Sequence, residues 1–138
     1  VRAVQQTMSE TGLNSDKLAL IETDYAVETG ATAFDQIMKL AQPPTVIICG
    51  NDVLAVGVLK QSKIRGINVP NDVSVTGFDD IEIARITTPE LTTMHVSHRR
   101  MGKEAAITLI DIIKGRRFSF STELETSLTI RASLTRPR

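Results

Sequence analysis

The sequence predicts an α/β domain, a doubly wound parallel sheet with helices on both faces. Three observations predict it. Residues 45–49, TVIIC, form a short unbroken apolar run between a Pro43-Pro44 stop and the polar Gly50-Asn51-Asp52, as expected of a central parallel strand. Residues 69–80, VPNDVSVTGFDD, repeat the same order of turn, buried strand and polar tip. Segments of helical period alternate with β-prone segments along the chain, and such alternation makes a parallel sheet with right-handed crossovers.

The elements follow in order. Residues 1–11 place Val1, Val4 and Met8 on one helix face, and Gly12 fits the position just past its end. The chain thus opens within a helix and without an initiator Met, which predicts a partial chain. Residues 17–21, KLALI, read as a short strand, and 22–26 as a loop carrying Asp24 and Tyr25. Residues 27–41 read as an amphipathic helix with Ala31, Phe34, Ile37, Met38 and Ala41 on its apolar side. The TVIIC strand and a helix over 52–65 come next, closed by Gly66. Val73, Val75 and Thr76 favour a pleated strand, Gly77-Phe78 end it, and a short helix over 81–86 follows. Residues 91–96 are β-prone, 97–114 form a long helix ended by Gly115, and 122–131 alternate with a period of two, the mark of a half-buried or edge strand.

Composition narrows the function. The 138 residues allow one domain with a real core. Sixteen basic residues balance sixteen acidic ones, which argues against a strongly electrostatic nucleic-acid surface. The basic clusters at His98-Arg99-Arg100, 114–117 and 136–138 read as solvated helix ends and a tail. No apolar run approaches the ~20 residues of a membrane span, and no signal peptide is visible. The single cysteine, Cys49, sits inside the TVIIC run as a small buried hydrophobe, so no disulfide within the chain is possible. Phosphate-loop, dinucleotide, nucleophile-elbow and CxxC motifs are all missing. His95 and His98 lack a carboxylate or cysteine to complete a metal set. No cofactor or metal is expected, and catalysis has no positive support.

What remains is polar side chains at strand ends. Asn51 follows one strand and Asp79 the other. If the two strands are neighbours, both lie on one rim, where doubly wound sheets bind ligands. The plain alternative for Asn51 is a helix N-cap. For Asp79 it is capping of the helix over 81–86, a task for which Asp80 is the better candidate.

The linked motifs resemble the LacI/GalR family of transcription regulators. The residues that carry the resemblance are Pro44-Thr45, Asn51-Asp52, Ala55, Gly57, Leu59, Gly66, Val69-Pro70, Asp72, Ser74-Val75, Gly77 to Asp80, Pro89, Leu91 to Thr93 and Gly102. The resemblance implies a periplasmic-binding-protein-like fold of type I, with two α/β lobes joined by a hinge and a small molecule, often a sugar or nucleoside, held between them. Residues 1–94 and 122–138 would then be the C-terminal lobe. Residues 95–121 would be the hinge crossings, near 94–97 and 119–122, and a helix belonging to an N-terminal lobe otherwise absent from the chain. Operator DNA would be bound only by a helix-turn-helix domain that this chain lacks, in a cytoplasmic regulator.

The resemblance also assigns residues. Asn51 and Asp79 match the family's ligand-contacting asparagine and aspartate. An amide both donates to and accepts from a hydroxyl, and a carboxylate accepts two hydroxyl hydrogens at once. Tyr25 stands where an aromatic often stacks on the ligand, with Asp24 beside it. A homodimer surface is expected on the helix over 53–63 and around 81–86, with Leu54, Val58, Ile83 and Ile86 as its apolar contacts. Two departures stand out. Val96 replaces a frequent polar ligand contact, for which His95 or His98 could substitute. The family's upstream arginine has no counterpart here. The competing reading is a periplasmic sugar-binding protein of an ABC transporter; an enzyme on the same sheet is the remote third.

Overall fold

A computed structural model describes residues 1–116 and 121–136. The elements are α1 (Arg2–Glu10), a 3-10 turn (Ser15–Lys17), α2 (Val27–Ile37), β1 (Val46–Ile48), α3 (Asp52–Ile64), β2 (Ser74–Asp79), α4 (Ile83–Ile86), β3 (Thr92–Val96), α5 (His98–Ile113) and β4 (Thr126–Thr129). The strands form one sheet in the order β1-β2-β3-β4. β1, β2 and β3 run parallel, and β4 pairs antiparallel with β3. α3 and α4 are the crossovers of the parallel part. This is the expected α/β fold, with an antiparallel return strand at its edge.

Small residues let α2 and α3 approach closely. A Cβ on Gly57 would overlap the backbone of Val27, and one on Gly30 that of Leu54. At the far ends of these helices, the Arg65 guanidinium donates through Nε and Nη2 to the two Asp35 carboxylate oxygens at 2.8 and 2.7 Å. The core lies under α3 on one sheet face, where Phe34, Leu59, Ile47, Val73, Val75 and Leu91 are buried together. Each such side chain contributes roughly 1.5–3 kcal/mol of hydrophobic stabilisation. Beyond β4 the chain is pinned by Ser133, whose buried hydroxyl donates to the Val75 carbonyl at 2.6 Å and accepts from the Thr92 N–H at 2.8 Å.

Several expectations need correction. Residues 17–21 form no strand: they have no ladder partner, and Leu20 is exposed. An apolar run becomes a strand only where a neighbouring edge takes up its backbone groups. α2 stops at Ile37, short of 41. β4 is confined to Thr126–Thr129, short of the expected 122–131, and its apolar residue Leu128 and the neighbouring Ile130 are exposed. Leu54 and Val58 are core residues, 8% and 3% exposed, because α3 turns them into the cluster beneath it. They are therefore not free to serve a dimer surface, whereas Ile86 is 69% exposed and Ile83 partly so. α1 and α5 contain no buried residue. Residues 119 and 120 of the expected crossing at 119–122 lie outside the described residues. Among the described residues no helix is long and apolar enough to cross a membrane.

Candidate effector-binding rim

β1 and β2 are parallel neighbours, so their C-terminal ends open onto the same rim, and the residues after them meet there. Asn51 lies in extended backbone and caps α3: its side-chain oxygen accepts the Leu54 N–H at 2.9 Å. The plain capping role is thus real. It uses the amide oxygen and leaves the side-chain NH2 group as the part that can donate to a ligand. Tyr25 is 71% exposed, and its ring edge, Cε1, lies 3.5 Å from where a Cβ on Gly50 would stand. The ring thus lies within van der Waals reach of the Gly50 position, beside Asn51's own loop.

Asp79 ends β2 in register with His95 of β3. Its φ is 107° and that of Asp80 is 53°, a region that residues other than glycine avoid. The Asp79 carboxylate is partly exposed and lies 4.0 Å from His98 Nε2. That gap is too long for a direct hydrogen bond. Asn51, Tyr25 and Asp79 thus share one rim. Asp24 is placed differently. It lines an open groove of about 520 Å³ with Ile21, Glu22, Thr29, Thr32 and Gln36, a set that includes none of the other three.

Beneath the rim lie two acids whose roles differ from the sequence expectation, which gave Asp52 no contact of its own and made Asp80 a helix cap. Asp52 is fully buried, accepting from Thr93 Oγ1 at 2.6 Å and from the Ile81 N–H at 2.9 Å. It ties the start of α3 to β3 and to the loop after Asp80. Asp80 does not cap the helix that follows; α4 begins at Ile83 and has no side-chain cap. Instead its carboxylate, 4% exposed, accepts from Arg131 Nη2 at 2.6 Å and pairs with His95 Nδ1 at 3.0 Å. Arg85 stands 3.9 Å away. Burial alone would raise its pKa, but the hydrogen bonds from Arg131 and His95, with the charges of Arg131 and Arg85, outweigh burial and hold it below the ordinary carboxylate value. Burial, with the Asp52 charge adding, pushes the Cys49 thiol up to about 12. It is therefore an inert core residue. Among the described residues, no group of three or more His, Cys, Asp or Glu could hold a metal ion.

The sequence family built on periplasmic binding protein-like domains matches residues 1–134. The chain belongs to that family. Within it the chain is of the LacI/GalR effector-binding type, as its relatives show. The "HTH-type transcriptional repressor CytR" of Escherichia coli (strain K12) is 35% identical over 93% of this chain. That alignment takes in 38% of the repressor, so the chain spans well under half the length of this relative. A crystal structure of a LacI family transcriptional regulator from Burkhoderia phymatum superposes with a TM-score of 0.85 at 32% identity, over 96% of this chain and 48% of that one. A LacI family regulator from Arthrobacter sp. FB24, solved in complex with lactose, superposes with a TM-score of 0.81 at 29% identity, over 96% and 49%. These relatives are regulators by name.

Proposed function

We propose that this LacI/GalR-type domain is the ligand-sensing part of a cytoplasmic transcriptional repressor, and that Asn51, Asp79 and Tyr25 hold a sugar or nucleoside-like effector against a second lobe. The carrying observation is that Asn51 and Asp79 stand on one rim at the ends of adjacent parallel strands. Tyr25 lies over the Gly50 backbone beside them. This supplies an amide donor, a carboxylate acceptor and an aromatic face, the set a hydroxylated ring needs. Asp24 is the weakest member of the set, since it faces another groove. The lactose bound by the Arthrobacter regulator is in keeping with a hydroxylated ligand.

In this reading residues 95–121 belong to the second lobe. The support is that α5 buries none of its residues here, although Leu109, Ile110, Ile112 and Ile113 are apolar and exposed. The protein would act as a homodimer through Ile83 and Ile86. It would bind operator DNA through a helix-turn-helix domain outside this chain, and lobe closure on the effector would alter the spacing of the two DNA-binding heads. The test uses the full-length protein. Asp79→Ala should abolish effector-driven change in operator affinity while operator binding itself stays intact. Retained effector response in that variant would refute the assignment.

A further inference from the structure

We infer that Arg131 is a positioning residue of the effector site, acting on Asp79 through the clamp it places on Asp80; the inference rests on the reading of Asp79 as an effector ligand. Two consecutive aspartates with positive φ are unfavourable for L-residues. Such a backbone persists only where its surroundings over-determine it. Here the surroundings are explicit. The Asp80 carboxylate takes Arg131 Nη2 at 2.6 Å on one oxygen and His95 Nδ1 at 3.0 Å on the other. One residue further, the Ile81 N–H is taken by Asp52 at 2.9 Å.

Arg131 is itself fixed. It is 10% exposed, its Nη1 donates to the Leu91 carbonyl at 2.8 Å, and its backbone N–H donates to Thr92 Oγ1 at 2.9 Å. A planar guanidinium with two of its donors committed at once sets direction as well as distance. The fork therefore joins the start of β3 to the turn after β2. A buried ion pair is weak evidence for a stability role, because well-packed apolar residues often serve as well. Orientation is what apolar residues could not supply. Asp79 is one peptide from the clamped carboxylate, so loss of the clamp lets both φ angles relax and turns the Asp79 side chain away from the rim. The hydrogen bonds of Arg131 go to Asp80, Leu91 and Thr92, and of these three Asp80 is the one next to Asp79.

The experiment uses the full-length protein and three probes: ribose, lactose and adenosine. The probe giving the largest thermal shift is titrated calorimetrically into wild type, Asp79→Ala, Arg131→Gln, Arg131→Lys and Asp80→Asn. Arg131→Gln and Asp80→Asn should bind at least tenfold more weakly while unfolding in one cooperative transition. Arg131→Lys, which keeps one charge-assisted bond, should recover part of the loss. Crystal structures of wild type and Arg131→Gln give a readout that needs no ligand: Asp79 should leave positive φ in the variant. Should Arg131→Gln fail to fold, Asp80→Asn carries both measurements. Wild-type affinity in a folded Asp80→Asn or Arg131→Gln, with Asp79→Ala inactive, overturns this inference and leaves the effector reading standing. An unchanged positive φ at Asp79 also overturns it. Undiminished binding by Asp79→Ala refutes the effector reading itself, and the inference with it.

Discussion

Gly77→Ala should destabilise the domain severely, although the substitution adds a single methyl group. Gly77 lies in β2 opposite Thr93 of β3, on the face covered by α3. A Cβ built there would overlap a carboxylate oxygen of Asp52, with Leu91 Cδ2 at 2.9 Å and Asp52 Cα at 3.3 Å. Asp52 cannot retreat cheaply. It is fully buried, and its two oxygens are occupied by Thr93 and by the Ile81 N–H. Overpacking a filled core costs about 1–3 kcal/mol. Breaking one hydrogen bond to a buried charge adds about 1.5–3 kcal/mol. Alanine returns roughly 0.5–1 kcal/mol by restricting the unfolded chain. The net expectation is a loss of about 2–5 kcal/mol. With a urea m-value of about 2 kcal/mol/M, the middle of the range for small proteins, the unfolding midpoint should fall by roughly 1–2.5 M at unchanged slope. Urea titration followed by far-ultraviolet circular dichroism measures this directly. A midpoint within experimental scatter of wild type would show that Asp52 does not sit over Gly77, and the account of the network beneath the rim would fall with it.

Two further outcomes are expected. The Asp35 carboxylate is held down to about 2, from an ordinary value of 3.8, first by the Arg65 hydrogen bonds and then by that of Gln61. A carboxylate depressed on folding contributes stability that is fully present above 3.8 and is lost as pH falls through about 2. Tm measured from pH 5 to pH 2 should therefore fall less steeply for Asp35→Asn than for wild type; parallel curves would contradict the pairing. Ile86→Glu should convert a micromolar dimer of the full-length protein to monomer in sedimentation, with Tm measured on the monomer little changed, because Ile86 is exposed on the single chain. A dimer that survives the charge would place the interface elsewhere.

The fold was legible where local pattern and burial agree. The unbroken TVIIC run, the alternation through VSVTGF and the glycines closing α1, α3 and α5 are local signals, and each lies where expected. Misreadings came where a neighbour decides the outcome. KLALI has the composition of a strand but no edge to pair with among the described residues. Leu54 and Val58 were expected on a dimer surface because the packing of α2 onto α3 cannot be read from α3 alone. That packing depends on Gly30 and Gly57, two small residues far apart in sequence whose close approach is a property of the pair.

The candidate site divides along the same line. Asn51 and Asp79 could be found because each follows a recognisable strand, and parallel neighbours necessarily bring such positions to one rim. The residues that hold the rim could not. Arg131 looked like the last residue of an alternating half-buried or edge strand, and Asp80 like a helix cap. Fifty-one positions separate these two, and no periodicity links them. Only the antiparallel return of β4 beside β3 brings Arg131 to the turn after β2. The same topology gives the pair its functional interest. His95, the other hydrogen-bond partner of Asp80, is the penultimate residue of β3, and α5 begins three residues later at His98, whose ring faces Asp79. In the proposed two-lobe protein this is where the chain crosses to the second lobe. The carboxylate that would meet the effector therefore stands 4.0 Å from the first residue of α5, and a ligand that reorients Asp79 would act on the charge environment where the chain enters the proposed hinge.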